Sequence, residues 1–287
     1  MSLSARTPTT AGTNLYVPAL YSKKVTEATK KTLVCWDAVT SEFRNDLVLG
    51  NILYLPKTNV VTATEVVVGT KGTATNPLNT TGVTLTINQW YEAPIDVDDM
   101  TMRQTQANVE AECVKEAAYG VKVQVDTSVA TLFSTLGGYS TSAYGSDGQI
   151  LTDDILLYLK QTLDEADVPM VTADRSIIVD PSGLVDMLKI DKLVAADYVA
   201  RGNVENGIIG NSVYGCVVRV TNNLVAASTG AYGVMLHKKA IASALQIDKS
   251  WSWHFKDLHQ MRYHSEALWG VIELQDAFGV PFFTRKK

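Results

Sequence analysis

The stretch Val83-Thr-Leu-Thr-Ile-Asn-Gln-Trp-Tyr-Glu-Ala-Pro-Ile-Asp-Val-Asp-Asp-Met100 joins the two patterns that decide the fold. Its first half alternates apolar and polar residues, which is typical of a half-buried β-strand. Upstream, Asn51-Ile-Leu-Tyr-Leu-Pro56 and the β-branched run from Val60 to Val68 also read as strands. Glycine, asparagine and proline between Gly69 and Gly82 mark a long turn. The sequence therefore predicts a long β-hairpin.

This hairpin carries very little charge. Between Thr58 and Thr86 the only charged side chains are Glu65 and Lys71. An isolated two-stranded ribbon is marginally stable in water, and an uncharged β-prone edge is a template for pairing with another chain. We therefore expect something outside the hairpin to cover it.

A helix is predicted to follow the quoted stretch. From Met102 to Leu136 apolar residues recur every three to four positions without a proline, and Gly137-Gly138 marks the stop. A continuous helix over 100–136 would be ~55 Å long. The acidic residues Asp96, Asp98 and Asp99 precede it, and we interpret them as complementing the helix dipole rather than as a cation site.

From Ile150 onwards the pattern alternates between helices and strands, which indicates an α/β region. The predicted elements are a helix from Thr152 to Ala166, a strand from Arg175 to Pro181, a helix over 184–193, strands at Cys216–Val220 and Gly233–His237, a helix near Lys239–Leu245, and long strands from His259 to Phe283.

Composition indicates a folded globular protein. The 287 residues are 46% hydrophobic and 19% charged with a formal net charge of -5, which excludes disordered and collagen-like classes. A pI near 5.4 argues against a general nucleic-acid-binding surface. Charge is uneven, because residues 1–31 hold five basic side chains against Glu27, a local +4. No apolar run of about 18 residues is present, so we expect no membrane span and no secretion.

No chemical site is predicted. The three scattered cysteines, Cys35, Cys113 and Cys216, form neither a disulfide framework nor a metal motif. Ser212 lies in a glycine-flanked stretch one residue too long for a nucleophile elbow, and the glycines match no phosphate-binding loop. We predict no catalytic, cofactor-binding or metal residues and no enzymatic activity, with an enzyme that has an unrecognised site as the alternative.

Two further residue classes receive structural interpretations. The histidines at 254, 259 and 264 are five apart, which suits neither a strand face nor a helical zinc pair. The tryptophans at 90, 251, 253 and 269 are not interleaved with basic residues, so core or interface packing is the expectation for them.

The order of these parts resembles the major capsid protein of tailed bacteriophages, the HK97-like fold family. Local similarities support the resemblance, namely Trp90 to Met100, Ile177-Ile-Val-Asp-Pro181, Gly207 to Leu224 and Gly233 to Ala240. It implies an α+β fold in which an N-terminal arm leads to an extended hairpin, the E-loop, then a long spine helix in a peripheral domain, then an α/β axial domain. The implied segments are the arm 1–44, the E-loop 45–95, the peripheral domain with its spine helix 96–149, the axial domain 150–257 and the return strands 258–287.

The resemblance also implies a function. Such subunits form the hexamers and pentamers of an icosahedral shell around packaged double-stranded DNA, so the chain would assemble in the host cytoplasm and reside in the virion capsid. Implied partners are other copies of the chain, separate scaffolding, portal and decoration proteins, and non-specifically contacted DNA. The expected inter-subunit residues of the E-loop are Lys57, Val66, Val68, Lys71, Leu85, Ile87 and Trp90, and those of the arm are Arg6, Lys23 and Lys24.

Two qualifications belong to this resemblance. An encapsulin-type nanocompartment shell has the same fold and remains an alternative. Some family members crosslink a hairpin lysine to a neighbour, but no acidic catalyst is located for Lys57 or Lys71, so crosslinking is not predicted.

Overall fold

A computed structural model describes residues 30–45, 50–58, 63, 65, 68, 80–104, 109–138, 143–171, 173–194, 204–205, 208–209 and 212–285. Helices and sheets are both present, in agreement with the predicted α+β class.

The described residues form eleven strands and five α-helices. The strands are β1 Ile52–Thr58, β2 Thr80–Thr86, β3 Gln89–Asp98, β4 Arg175–Val179, β5 Val204–Glu205, β6 Ile208–Ile209, β7 Val217–Val220, β8 Gly230–His237, β9 Ile241–Phe255, β10 Gln260–Glu273 and β11 Gly279–Arg285. The α-helices are α1 Asp99–Gln104, α2 Val109–Thr131, α3 Asp153–Glu165, α4 Pro181–Met187 and α5 Asp191–Val194. Short 3-10 helices cover Trp36–Ala38, Glu42–Asn45, Leu132–Gly138, Lys238–Ala240 and Asp276–Phe278.

The predicted hairpin is confirmed at its base. Strands β1 and β2 pair in antiparallel fashion, with Ile52 opposite Thr86 and Thr58 opposite Thr80. Of the predicted strand over 60–68, the structure describes 63, 65 and 68, and none of these three is in a strand.

Two larger sheets organise the rest. The first has the order β3-β10-β9 with antiparallel neighbours, and α2 packs on it through Val121 and Val125, which contact Ala267 and Trp269. The second has the order β11-β8-β4-β7, in which β4 and β7 run parallel. Helix α3 buries Leu156, Leu159 and Leu163 against the second sheet.

The described residues cover the predicted long helix as two α-helices, and α2 ends at Thr131, before the expected end at Leu136. Helix α1 ends at Gln104, residues 105–108 lie outside the described part, and α2 then spans 23 residues, or ~35 Å. The predicted stop is confirmed, because Leu136 leaves the helical region and Gly137 has φ 70°, a conformation that favours glycine.

The predicted helix near Lys239–Leu245 is wrong. A 3-10 turn ends at Ala240 and β9 begins at Ile241. Residues 241–244 are all buried, and β9 pairs along its length with β10. Burial on both faces produces a continuous apolar run, and such a run alone does not distinguish a helix from a central strand. The helix predicted over 184–193 is likewise two short helices, α4 and α5.

The two sheets do not follow the predicted boundary at residue 257, and the segment boundaries themselves stay a prediction. Strand β9, expected in the axial segment 150–257, belongs to the first sheet. Strand β11, expected among the peripheral return strands 258–287, belongs to the second sheet beside β8. The boundary at residue 257 therefore does not separate the two sheets.

Candidate assembly surface

The hairpin base is anchored on its own chain. Leu55, Leu85 and Ile87 are buried and pack with Ala242 and Ala244 of β9. This corrects the expectation for two predicted contact residues, because Leu85 (0% exposed) and Ile87 (5% exposed) leave no apolar surface for a neighbour.

The other predicted hairpin residues with described side chains face solvent. Lys57 is exposed, Val68 is 99% exposed and Trp90 is 67% exposed. The remaining predicted contact residues, namely Val66, Lys71, Arg6, Lys23 and Lys24, lie outside the described residues.

Three exposed tryptophans lie on one face of the first sheet. Helix α2 packs on the face that carries Ala93 and Ala267. Side chains alternate along a strand, so Trp90, Trp251 and Trp253 point to the opposite face, which we call the open face. Trp251 and Trp253 are about half exposed. The prediction for these tryptophans is packing in the core or at an interface, and their exposure excludes the core.

Trp269 behaves differently. It is fully buried, stacks on Tyr91 with ring centroids 5.3 Å apart, and donates from Nε1 to Ser128 Oγ at 2.8 Å. It belongs to the contact between α2 and the first sheet, so the core prediction is right for this tryptophan.

The acidic residues before α1 do not all act as helix caps. Asp96 lies in β3 and accepts two hydrogen bonds from Arg262 of β10, at 2.5 and 2.6 Å. This guanidinium holds the pKa of Asp96 below its usual value. Asp98 accepts from Gln260, and Asp99 alone lies in the first turn of α1, 2.8 Å from His254 Nε2. Pairing across strands therefore replaces the predicted capping role at Asp96 and Asp98.

The histidines do not converge. His264 stacks on Trp251 on the open face, His254 contacts Asp99, and His259 lies in the β9–β10 turn with φ 52°. Within the described ranges no group of three or more His, Cys, Asp or Glu side chains is arranged to hold a metal ion.

The thiols are not activated. Burial raises the pKa of Cys216 to about 11 and raises that of Cys35 further, with Asp126 adding to the effect at Cys35. Burial and Glu112 also raise the pKa of Cys113. A nucleophilic cysteine needs a lowered pKa, so these three thiols are poor candidates for covalent catalysis.

Segment 30–45 is fastened to α2 by a buried carboxylate that sequence reasoning did not single out. Asp126, 2% exposed, accepts hydrogen bonds from the backbone N–H groups of Cys35 and Trp36 at 2.8 and 3.1 Å. Its second oxygen accepts from Asn223 Nδ2 at 3.0 Å. An aspartate on a helix resembles many others in sequence, so only the tertiary contact reveals this role.

Helix α3 presents a second exposed apolar surface. Leu157 and Tyr158 are each 40% exposed, and Tyr158 stacks on Tyr144 with centroids 4.0 Å apart. Ile150, just before the helix, is 55% exposed. In the described part of the chain no helix is both long and apolar enough to span a membrane.

Comparisons with known proteins bear on the fold. No family model and no curated protein sequence matches the chain. A structure from Mycobacterium phage Che8 superimposes with a TM-score of 0.80 at 22% identity, covering 94% of this chain and 98% of that chain. The capsid of cyanophage P-SCSP1u gives 0.75 at 15% identity, with 97% and 96% covered.

A third structure, the capsid of Ralstonia phage GP4, gives a TM-score of 0.66 at 12% identity and covers 98% of this chain and 99% of that one. The similarity extends over almost the full length of each partner, although few residues are identical. The chain therefore has the fold of these bacteriophage capsid structures.

Proposed function

We propose that this chain is a major capsid protein, many copies of which assemble as hexamers and pentamers into an icosahedral shell around packaged double-stranded DNA. The observation that carries the proposal is the end-to-end similarity to phage capsid structures at TM-scores up to 0.80. Assembly would take place in the host cytoplasm, with the shell as the chain's final location.

The surface of the chain supports assembly. Monomeric proteins seldom expose many large apolar residues in patches. Here the open face exposes three tryptophans, and α3 exposes Leu157 and Tyr158. Both surfaces suit burial against neighbouring copies, the open face in contacts near the hairpin and α3 in contacts around a capsomer centre.

The hairpin is the proposed link between neighbours. Its anchored base fixes the direction of β1 and β2, and Lys57, Val68 and Trp90 remain exposed. Each contact would bury a modest area. Heterologous contacts of this kind close into rings, so the stability of the shell would come from the number of contacts.

The net charge of the chain is compatible with a shell that encloses DNA. Strong positive fields would bind phosphates tightly by counterion release and slow packaging. The formal charge of -5 avoids this, while the local +4 of residues 1–31 provides a basic segment for weak contact with DNA or an acidic scaffold. Deletion of residues 1–24 is expected to alter assembly or particle contents, and unchanged particles would remove the arm from the proposal.

The decisive experiment shortens the hairpin without disturbing its base. Thr58 and Thr80 are directly paired, so residues 59–79 are replaced by Asn-Gly, which closes a two-residue hairpin turn. Electron microscopy of the expressed full chain should show closed particles, and the shortened variant should give none while keeping the parent's circular dichroism spectrum and melting temperature. Particles of normal yield from the variant would contradict the proposed role of the hairpin.

Particle contents separate the two kinds of shell. DNA inside particles from phage-infected cells supports a capsid, whereas a loaded enzyme would identify an encapsulin-type compartment. A chain that stays a monomer under all ionic conditions would exclude both. Scaffolding, portal and decoration proteins would be sought by mass spectrometry of the same particles.

A further inference from the structure

A cleft of about 340 Å³ lies between α2, the segment containing Trp36 and the β9–β10 pair. We call it the α2 cleft. Its walls include the apolar side chains of Leu33, Trp36, Val125 and Leu245. Its size and apolar walls are those of a site that binds one or a few side chains.

Negative charge dominates the α2 cleft. The carboxylates of Asp37, Asp126 and Asp248 line it against a single basic residue among the described lining, Lys122, which gives a formal charge of -2 from three negative groups and one positive group. Glu266 also lines the cleft, but its carboxylate lies on the open face, where it accepts from Trp90 Nε1.

Two of these three acids, Asp37 and Asp248, are available to pair with a cation. The third, Asp126, is buried and already accepts three hydrogen bonds. Asp37 and Asp248 are exposed and form no ion pair with the described part of the chain. The cleft is thus complementary to an apolar segment that ends in cationic side chains.

The chain itself contains such a segment. Leu15-Tyr-Val-Pro-Ala-Leu-Tyr-Ser-Lys-Lys24, which lies outside the described residues, is an apolar run followed by two lysines. We propose that the α2 cleft is the docking site for residues 15–24 of the same chain, with Lys23 and Lys24 meeting Asp37 and Asp248.

Reach favours the same chain over a second copy. The Lys30 ammonium is 2.8 Å from Glu116 of α2, and the Lys31 N–H donates to Tyr119 Oη at 2.6 Å. Ala118, which lines the cleft, is two residues from Glu116, a rise of ~3 Å along the helix. Six residues from Lys24 to Lys30 span up to ~20 Å, and so short a tether gives an effective concentration in the millimolar range.

Trypsin cleavage after Lys23 and Lys24 tests the docking in the full-length, unassembled chain. Asp37→Asn and Asp248→Asn are each expected to speed this cleavage roughly threefold, and the double variant roughly tenfold, because each exposed ion pair contributes a modest stabilisation. High salt should speed cleavage of the parent and leave the double variant unchanged.

The matched control is Asp257→Asn. Asp257 is also exposed but lies in the β9–β10 turn, beyond Phe255, the end of β9, which is seven residues and ~23 Å along the strand from Asp248. Its variant should be cleaved like the parent. Equal cleavage in the double variant and this control would overturn the proposal.

Protein concentration identifies the source of the segment. A trypsin cleavage rate that is constant over a hundredfold range of protein concentration supports docking within one chain. Protection from trypsin that appears only at high protein concentration would overturn the same-chain assignment. Particle formation is not the readout, so the outcome is independent of the proposed capsid function.

Discussion

Asp126 of α2 and Asn223 of the loop after β7 are directly hydrogen-bonded, with Asn223 Nδ2 3.0 Å from Asp126 Oδ2. The same carboxylate accepts from the N–H groups of Cys35 and Trp36. One side chain therefore joins segment 30–45, the helix on the first sheet and the loop of the second sheet.

Replacing this carboxylate should loosen all three elements. Asp126→Ala leaves the backbone N–H groups of Cys35 and Trp36 without an acceptor and removes one of the two acceptors of Asn223 Nδ2, so the free energy of unfolding is expected to fall by about 3 kcal/mol. Urea denaturation followed by circular dichroism measures this. Glu42→Ala, which removes an exposed carboxylate from the same segment, should change stability by less than about 0.5 kcal/mol. If the two variants unfolded at the same urea concentration, Asp126 would not be what joins the three elements.

A partly buried ion pair makes stability depend on pH. Arg175 is 2% exposed and donates to Asp164 Oδ1 at 2.6 Å. Burial by itself raises the pKa of Asp164, but hydrogen bonds from Lys160 and Arg175 outweigh it and hold the pKa below 3.8. A lowered folded-state pKa adds stability above the unfolded value, and this stability is lost as the pH falls through the folded value.

Asp164→Asn should therefore destabilise the chain at pH 7 by roughly 3 kcal/mol, because Arg175 stays buried without its partner. The variant should also lose less stability than the parent between about pH 4 and pH 2. Thermal melts across this range provide the measurement, with Glu165→Gln, an exposed neighbour, as the control. Identical acid profiles for parent and variant would mean that this pair does not control the acid sensitivity.

The hairpin base depends on a close backbone approach. A Cβ at Gly270 of β10 would lie 2.3 Å from the Thr86 carbonyl oxygen. Gly270→Ala must push β2 away from β10 and is expected to cost about 2 kcal/mol. At Gly82 the nearest atom would be 3.7 Å away, so Gly82→Ala should be nearly neutral. Differential scanning calorimetry of both variants compares the two sites directly.

Variants of two tryptophans distinguish an effect on folding from an effect on assembly. Trp269→Ala should destabilise the chain by about 4 kcal/mol because a fully buried indole is removed. Trp90→Ala removes an indole that is 67% exposed, so its effect on unfolding should stay below about 1 kcal/mol while particle yield falls. Sucrose-gradient sedimentation reports the yield. Normal particles from Trp90→Ala would exclude Trp90 from the subunit contact.

Much of the fold followed from local patterns. The alternation in Val83 to Ile87 and the short apolar runs at β4, β7 and β8 each matched an observed strand, and the periodic face of α3 matched an observed helix. These elements were predictable because their burial repeats with the period of their own secondary structure.

The assembly surface was predictable only in outline. Leu85 and Trp90 have similar sequence surroundings, yet Leu85 is buried by β9 and Trp90 lies on the open face. Which face of a sheet is covered depends on where α2 packs, and this contact joins residues more than a hundred positions apart in the chain.

The sequence by itself thus determined the order of hairpin, helix and α/β region, because period, proline and glycine act on neighbouring residues. Tertiary structure alone decided that residues 241–255 form a strand, that Asp96 pairs with Arg262, and that Asp126 joins three elements. In each case the partner is distant in sequence, and a hydrogen bond or a buried face between distant residues leaves no periodic trace in the local sequence.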